Sequence, residues 1–307
     1  MPFSLPNGFA NMAYSHGHSL EVELSHVGQG NWRAFRALGV SLPDVMAVAR
    51  SWSSVFAGIE RPWLCWSVND EWSIVQQRLA LSVGWTPVVG FDPRSGAPQQ
   101  SAKGAIVIDF NHDLCLPVLY PHFLLEFAFL FCDRLAFWHS DLLVGEERMR
   151  ATAATFQALK DGQTAAVRFP QNLKSLFSRK QQRYWELVGC TTRAASRGQF
   201  EAGCGWWMDF WAHPNQPDGE RVKATRYWDH GSGILYWREH EGGKCVLLNE
   251  RDFRNGHFTK IGNSNYKRFR EADSLSDARR SMAFEIRENF DLAQACRALG
   301  LQKYLAQ

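Results

Sequence analysis

The 307 residues contain no Cys-x-x-Cys pair, and the seven cysteines (Cys65, Cys115, Cys132, Cys190, Cys204, Cys245 and Cys296) leave one thiol over in any pairing. That argues against a zinc ribbon or a disulfide framework and suits the reduced thiols of a cytoplasmic protein. A Gly-x-Gly-x-x-Gly turn, a Walker phosphate loop and a Gly-x-Ser-x-Gly elbow are also missing. Their absence lowers the dehydrogenase, ATPase and serine-hydrolase readings. No basic start leads into an apolar run, and no stretch approaches the ~18 apolar residues of a spanning helix. The most apolar window, from Pro117 to Phe131, carries His122 and Glu126 and reads as a buried helix. Strong charge is missing too. A net charge of +3 is too mild to mark a nucleic-acid-binding surface.

What is present is an ordinary globular composition, 45% hydrophobic and 21% charged, with enough chain to bury a large core. Thirteen tryptophans stand out. Their flat rings either fill that core or stack on sugars and bases.

Residues 1–30 read as an irregular arm, with a strand at Ser19 to Leu24, and Leu42 to Gly58 as an opening helix with Ser41 as cap. A rhythm then begins. Trp63 to Val68 is a short apolar strand, Asn69-Asp70 a cap, Glu71 to Val83 a helix, and Gly84 its stop. Trp85 to Phe91 and Ala105 to Phe110 follow as strands around a polar loop at 95–100. Pro121 to Cys132 is a helix, Arg134 to Trp138 a fourth strand, Glu146 to Lys160 an amphipathic helix closed by Asp161-Gly162, and Thr164 to Phe169 a fifth strand. Strands alternating with helices predict a mostly parallel, doubly wound α/β sheet. After Pro170 the rhythm breaks, and the stretch to Asn215 reads as a mixture of Gly, Trp and short strands. Tyr227 to Arg238 and Lys244 to Leu248 read as further strands, and Ser276 to Phe290 and Leu292 to Leu299 as terminal helices stopped at Gly300.

Ligands of such a sheet bind beyond the carboxyl ends of its strands, so polar residues there come first. Asn69 and Asp70, Asp92 and Arg94, Asp109 and Asn111, and His139 and Asp141 end the first four strands. The Asp and Asn residues among them are also good helix caps. His139-Ser140-Asp141 places two metal-ligand types two residues apart, where they either share a cation or serve as a loop His and a capping Asp. A Gly- and Trp-rich run from Gly203 to Asn215, holding Trp206, Trp207, Asp209 and His213, reads either as an acceptor loop or as a turn leading into core-packed aromatics. Asp229 offers a rival base in a similar turn. His16-Gly17-His18 and His112-Asp113 are weaker pairs.

The segment Arg134-Leu-Ala-Phe-Trp-His-Ser-Asp-Leu-Leu-Val144 resembles the Asp-x-Asp region of GT-A fold glycosyltransferases, with His139 standing where the first Asp would. Asn255-Gly-His-Phe-Thr-Lys260 is similar to the His-Phe-x-Gly-x-x-Lys segment of some of these enzymes, though the middle Gly is absent and the Lys follows the His by three positions. The resemblance covers roughly residues 62–262. It implies a GT-A-like domain in which His139, Asp141 and His257 hold a divalent metal, Mn2+ or Mg2+. A His ligand favours manganese or zinc over magnesium. It further implies that Asn69, Asp70, Asp92, Arg94 and Lys260 meet the nucleotide-sugar donor, that Asp209 or Asp229 acts on the acceptor hydroxyl, and that Trp206, Trp207 and His213 face the acceptor. That acceptor would be a carbohydrate, glycolipid or protein.

The expected organisation is one domain: an arm and helix over 1–60, a nucleotide-binding half over 61–170, an acceptor and metal half over 171–270, and C-terminal helices over 271–307. The expected activity is glycosyl transfer from a nucleotide-diphosphate sugar. A nucleotidyltransferase on the same sheet, or an inactive sugar- or protein-binding module, are the alternatives.

Overall fold

The computed structural model describes residues 53–67, 69–91, 97–110, 132–168, 183–202, 205–206, 231–257 and 292–305. A short helix α1 (Ser53–Phe56) precedes strand β1 (Pro62–Ser67), helix α2 (Asp70–Ser82), β2 (Thr86–Phe91) and β3 (Ile106–Val107). Then come β4 (Arg134–Trp138), α3 (Glu146–Gln157), β5 (Gln163–Arg168), β6 (Tyr184–Thr192) and α4 (Arg193–Glu201). Helix α5 (Ser232–His240), β7 (Lys244–Leu248), α6 (Arg251–Arg254), α7 (Leu292–Leu299) and a 3-10 turn at Gln302–Tyr304 complete the described elements.

Among the described residues the predicted rhythm of the first half is present, for local reasons. Asn69 caps α2 by accepting from the Trp72 amide at 3.0 Å, which satisfies one of the helix's orphan N–H groups. Gly84, Gly162 and Gly300, the predicted stops, take φ of 76°, 83° and 70°, where a side chain would be strained. The third strand is shorter than expected, with only Ile106–Val107 paired to β2. The predicted helix at 276–290, all but the last residue of that at 121–132, and most of that at 42–58 lie outside the described residues.

Among the described residues, seven strands form one mostly parallel sheet in the order β3-β2-β1-β4-β6-β5-β7. β1, β2, β3 and β4 pair in parallel, as do β5 and β7, whereas β6 runs antiparallel to both β4 and β5. The chain proceeds outward from β1 to β3 and then returns to the other side of β1 with β4. The order therefore reverses between β1 and β4, and a crevice forms at the carboxyl ends of strands at such a point. Helix α2 lies against β1, β2 and α3, while α4 and α5 pack on each other and on β6.

Two expectations for the second half are corrected. Residues 232–238, expected as part of a strand from Tyr227 to Arg238, belong to α5. Gly233, Ile234 and Trp237 face inward at helical spacing, Trp237 packs against Ala195 of α4, and Gly231 opens the helix at φ 78°. An unbroken Ile-Leu-Tyr-Trp run fits either element by periodicity alone, and packing against α4 decides it. The stretch expected as short strands holds instead β6, a nine-residue strand lying inside the sheet, and α4.

The core is aromatic. Trp63 sits among Trp85, Trp138 and Phe156 with ring centroids 5.3, 5.0 and 5.2 Å away, within the range of favourable edge and offset contacts. Trp63, Trp66, Trp72, Trp85, Trp138, Trp206 and Trp237 are all buried, so core filling accounts for all but one of the described tryptophans. The exception is Trp185, which is partly exposed and stands beside the site described next.

Candidate metal centre

β4 ends at Trp138, paired with Cys65 of β1 and Val188 of β6. One residue on, the His139 amide still donates to the Leu187 carbonyl at 2.7 Å, so His139 leaves the sheet with its backbone anchored. The chain then turns, the Leu142 amide donating to the His139 carbonyl. Gln76, fully buried on α2, ties this turn from the side. Its Nε2 donates to the His139 carbonyl at 2.9 Å and the Leu142 carbonyl at 2.7 Å. Two carbonyls gripped by one amide group leave the turn little freedom, and it delivers Asp141, 3% exposed, inward.

The third member arrives from the opposite end of the sheet. After β7, helix α6 buries Phe253, and residues 255–257 lie against the turn that follows β4. The Leu143 amide donates to the Gly256 carbonyl at 2.9 Å, and Leu142 and His257 form an antiparallel bridge. A Cβ on Gly256 would fall inside the Leu143 carbonyl oxygen, so only glycine allows this approach. Arg148 of α3 pairs with Asp252 at 2.7 Å on the same segment.

His139 Nδ1 stands 2.5 Å from Asp141 Oδ1, and His257 Nε2 stands 3.3 Å from the same oxygen. The imidazole centroids are 5.7 Å apart and nearly perpendicular. One ligand atom from each residue lies within 4.8 Å of the others, the spread of a shared cation site. A divalent ion needs its donors ~3 Å apart around bonds of ~2.1 Å, so binding would replace the two imidazole N–H···O bonds and open the His139–Asp141 pair slightly. Two imidazoles and a carboxylate suit manganese, iron, cobalt or zinc better than magnesium, which prefers oxygen donors.

Without a cation, His139 and Asp141 hold each other charged. Burial opposes charge on His139, but the Asp141 carboxylate and, more weakly, Glu186 outweigh it and raise its pKa from 6.5 to about 9. Burial likewise opposes charge on Asp141, yet His139 and His257 hold its pKa well below the ordinary 3.8. A raised His pKa contributes stability that is complete below pH 6.5 and lost as pH rises through about 9. A depressed Asp pKa contributes stability present above pH 3.8 and lost as pH falls. Metal-free protein should therefore show a melting temperature that declines between pH 6.5 and 9, and His139→Gln should flatten that limb. Equal slopes for the two proteins in scans with chelator present would exclude the pairing.

Several neighbours of this centre carried no sequence signal. Trp185 places its ring 5.2 Å from that of His257, nearly perpendicular. Next to it Glu186 is 8% exposed and pairs with Arg183 at 3.2 Å. The register between β5 and β6 jumps here, from Ala166↔Gly189 to Val167↔Trp185, so residues 186–188 form a bulge in β6. Bulges beside sites commonly re-aim side chains. Nothing in the Lys-, Arg- and Gln-rich run before Trp185 distinguishes Arg183 from its neighbours.

Of the other predicted site residues, Asn69 uses its side chain as the α2 cap and the Asp70 carboxylate accepts from the Gln99 amide at 2.6 Å. Asp109 is described within the loop after β3. Trp206 is fully buried, edge-on to Phe137 at 4.8 Å, its Nε1 donating to Thr191 at 3.1 Å. That is the placement of the core-filling alternative and not of an acceptor-facing ring. Asp92, Arg94, Asn111, Trp207, Asp209, His213, Asp229 and Lys260 lie outside the described residues. Five described cysteines are free, and burial raises all their pKa values, Cys65 and Cys245 to about 12. None of these five is a thiolate near neutral pH. No described helix is long and apolar enough to cross a membrane.

No protein-family model, curated protein or solved structure matches the chain.

Proposed function

We propose that the protein is a metal-dependent glycosyltransferase of GT-A type, moving a sugar from a nucleotide-diphosphate donor. The observation that carries this reading is the meeting of His139, Asp141 and His257 beyond the carboxyl end of β4. They meet beside the point where strand order reverses, where open α/β sheets bind nucleotides. The layout also suits it: a parallel half for the donor, then a mixed half that brings a third ligand back to the first two.

The donor set fits a divalent cation, which when bound would supply Lewis acidity toward a departing diphosphate. The chain's own residues do the rest. Asp141 contributes the one formal negative charge among the three ligands, His139 and His257 supply neutral nitrogen donors, and Gln76 keeps the ligand turn rigid, as a site needing sub-ångström placement requires. Asn69 and Asp70, just past the end of the neighbouring β1, would lie beside the nucleoside. Asp209 or Asp229 would take the acceptor proton, with Trp207 and His213 lining the acceptor side.

A screen of nucleotides and sugar nucleotides by thermal shift, with and without Mn2+, tests the reading. Sugar nucleotides are expected to raise the melting temperature only with the metal, since a ligand of the folded state stabilises it in proportion to its affinity. Slow Mn2+-dependent hydrolysis of one of them should accompany the shift. Release of pyrophosphate from a nucleoside triphosphate would replace the reading with nucleotidyl transfer. Sugar binding indifferent to metal, without turnover, would replace it with a binding module. Two His and one carboxylate are also the donor set of non-haem iron oxygenases. Fe2+ stabilisation with no response to any nucleotide would favour that chemistry instead.

A further inference from the structure

We infer that Arg183 is the anion-receiving group of the metal centre, gripping the phosphate of a ligand that completes the metal's coordination, and that Glu186 holds Arg183 in place. The inference deepens the proposed function but rests only on the cation site, not on glycosyl transfer.

Position comes first. Arg183 stands two residues before Trp185, the spacing that brings alternate side chains of an extended chain to one face, and Trp185 touches His257. The chain entering β6 thus puts Arg183 on the same side as Trp185, the side turned to the ligands. The bulge at 186–188 breaks the alternation and lets Glu186 reach back to Arg183. Both Glu186 oxygens accept from Nη1, at 3.3 and 3.2 Å. The pair is close to buried, with side chains 13% and 10% exposed, so its charges act with little solvent screening. Both stand within electrostatic reach of His139.

Charge comes second. A divalent cation with neutral imidazoles, Asp141, Glu186 and Arg183 leaves one net positive charge in a poorly solvated place. Three protein donors leave about half of a six-coordinate shell to ligand and water. An anion that bridges cation and guanidinium answers both conditions, and a planar guanidinium matches two phosphate oxygens better than an ammonium does. A nearly buried ion pair by itself is poor evidence of stabilisation, which leaves placement of the guanidinium as the reason for Glu186.

Inorganic pyrophosphate is the probe, titrated calorimetrically into the full chain loaded with Mn2+. Arg183→Gln is expected to weaken pyrophosphate binding about 10- to 100-fold, with Mn2+ affinity of the ligand-free protein changed less than about threefold. Arg183→Lys should recover part of the loss. Arg183→Gln leaves Glu186 buried without a partner and could destabilise the fold, so the double variant Arg183→Gln/Glu186→Gln, which buries no unpaired charge, is the arbiter. It too should keep Mn2+ and lose pyrophosphate. Equal pyrophosphate affinity in wild type and double variant, or parallel loss of metal and pyrophosphate, overturns the inference. So does wild-type protein that binds Mn2+ but no pyrophosphate. Arg183-dependent pyrophosphate binding without any response to sugar nucleotides would uphold it while rejecting glycosyl transfer.

Discussion

Asp141→Asn is expected to lower Mn2+ affinity at least ~100-fold and, if the proposed function holds, to remove metal-dependent turnover, with the protein still folded. Loss of a group that merely orients a metal ligand costs 10- to 100-fold in affinity, and Asp141 is itself the anionic donor of the three. Its Oδ1 is the atom both imidazoles approach, at 2.5 and 3.3 Å, so the whole centre is organised around this one oxygen. The amide is nearly the same size and its oxygen still accepts hydrogen bonds, so packing at a side chain 5% exposed survives. The structural cost is limited because His139, freed of the carboxylate that raises its pKa, can deprotonate instead of remaining a buried cation. A loss of ~1–3 kcal/mol is expected. Isothermal titration with Mn2+, read beside a thermal melt, separates the two effects. Retention of Mn2+ affinity within about threefold would remove the centre from the protein's chemistry.

Gly256→Ala is expected to act on the same centre from a distance and to cost stability as well. The added methyl meets the Leu143 carbonyl, backbone against backbone, where no rotamer change can relieve the overlap. The segment carrying His257 has to back away, losing the Leu143 N–H···O bond to Gly256 and the approach of His257 to Asp141. Overpacking of this kind typically costs ~1–3 kcal/mol, and a bond lost with it adds ~1 kcal/mol. Mn2+ affinity should fall ~10- to 100-fold, although no ligand has been altered. Gly58→Ala is the control, because nothing lies within 4 Å of its added Cβ. Equal Mn2+ binding by wild type and Gly256→Ala would mean that the docked segment does not set the position of His257.

These two residues also mark how far the site could be read before the fold. His139 and Asp141 were legible because a His-x-Asp pair after an apolar strand has recognisable chemistry, and His257 because the segment around it resembles the His-Phe-x-Gly-x-x-Lys stretch of some GT-A enzymes. Gly256 was not, since the need for glycine arises only where another backbone lies against it. Gln76 reads as a plain helix residue until the turn carbonyls stand at its Nε2. Trp206 and Trp185 show the same limit from the other side. Composition cannot tell a tryptophan that fills a core from one that borders a site, and the ring that reaches the centre was not one of those singled out as acceptor-binding.

Among the described residues between 62 and 168 the amino-acid order by itself determined most of the elements, because strand alternation, the Asn69 cap and the glycine stops are interactions among neighbours in the chain. It also determined which side chains have the chemistry to hold a cation. Tertiary structure alone decided the order of the strands, the reversal of β6, the helix at 232–240, and the return of His257 to a turn more than a hundred residues earlier. Those outcomes depend on which surfaces exclude water and close-pack together, and no local stretch of sequence carries that information.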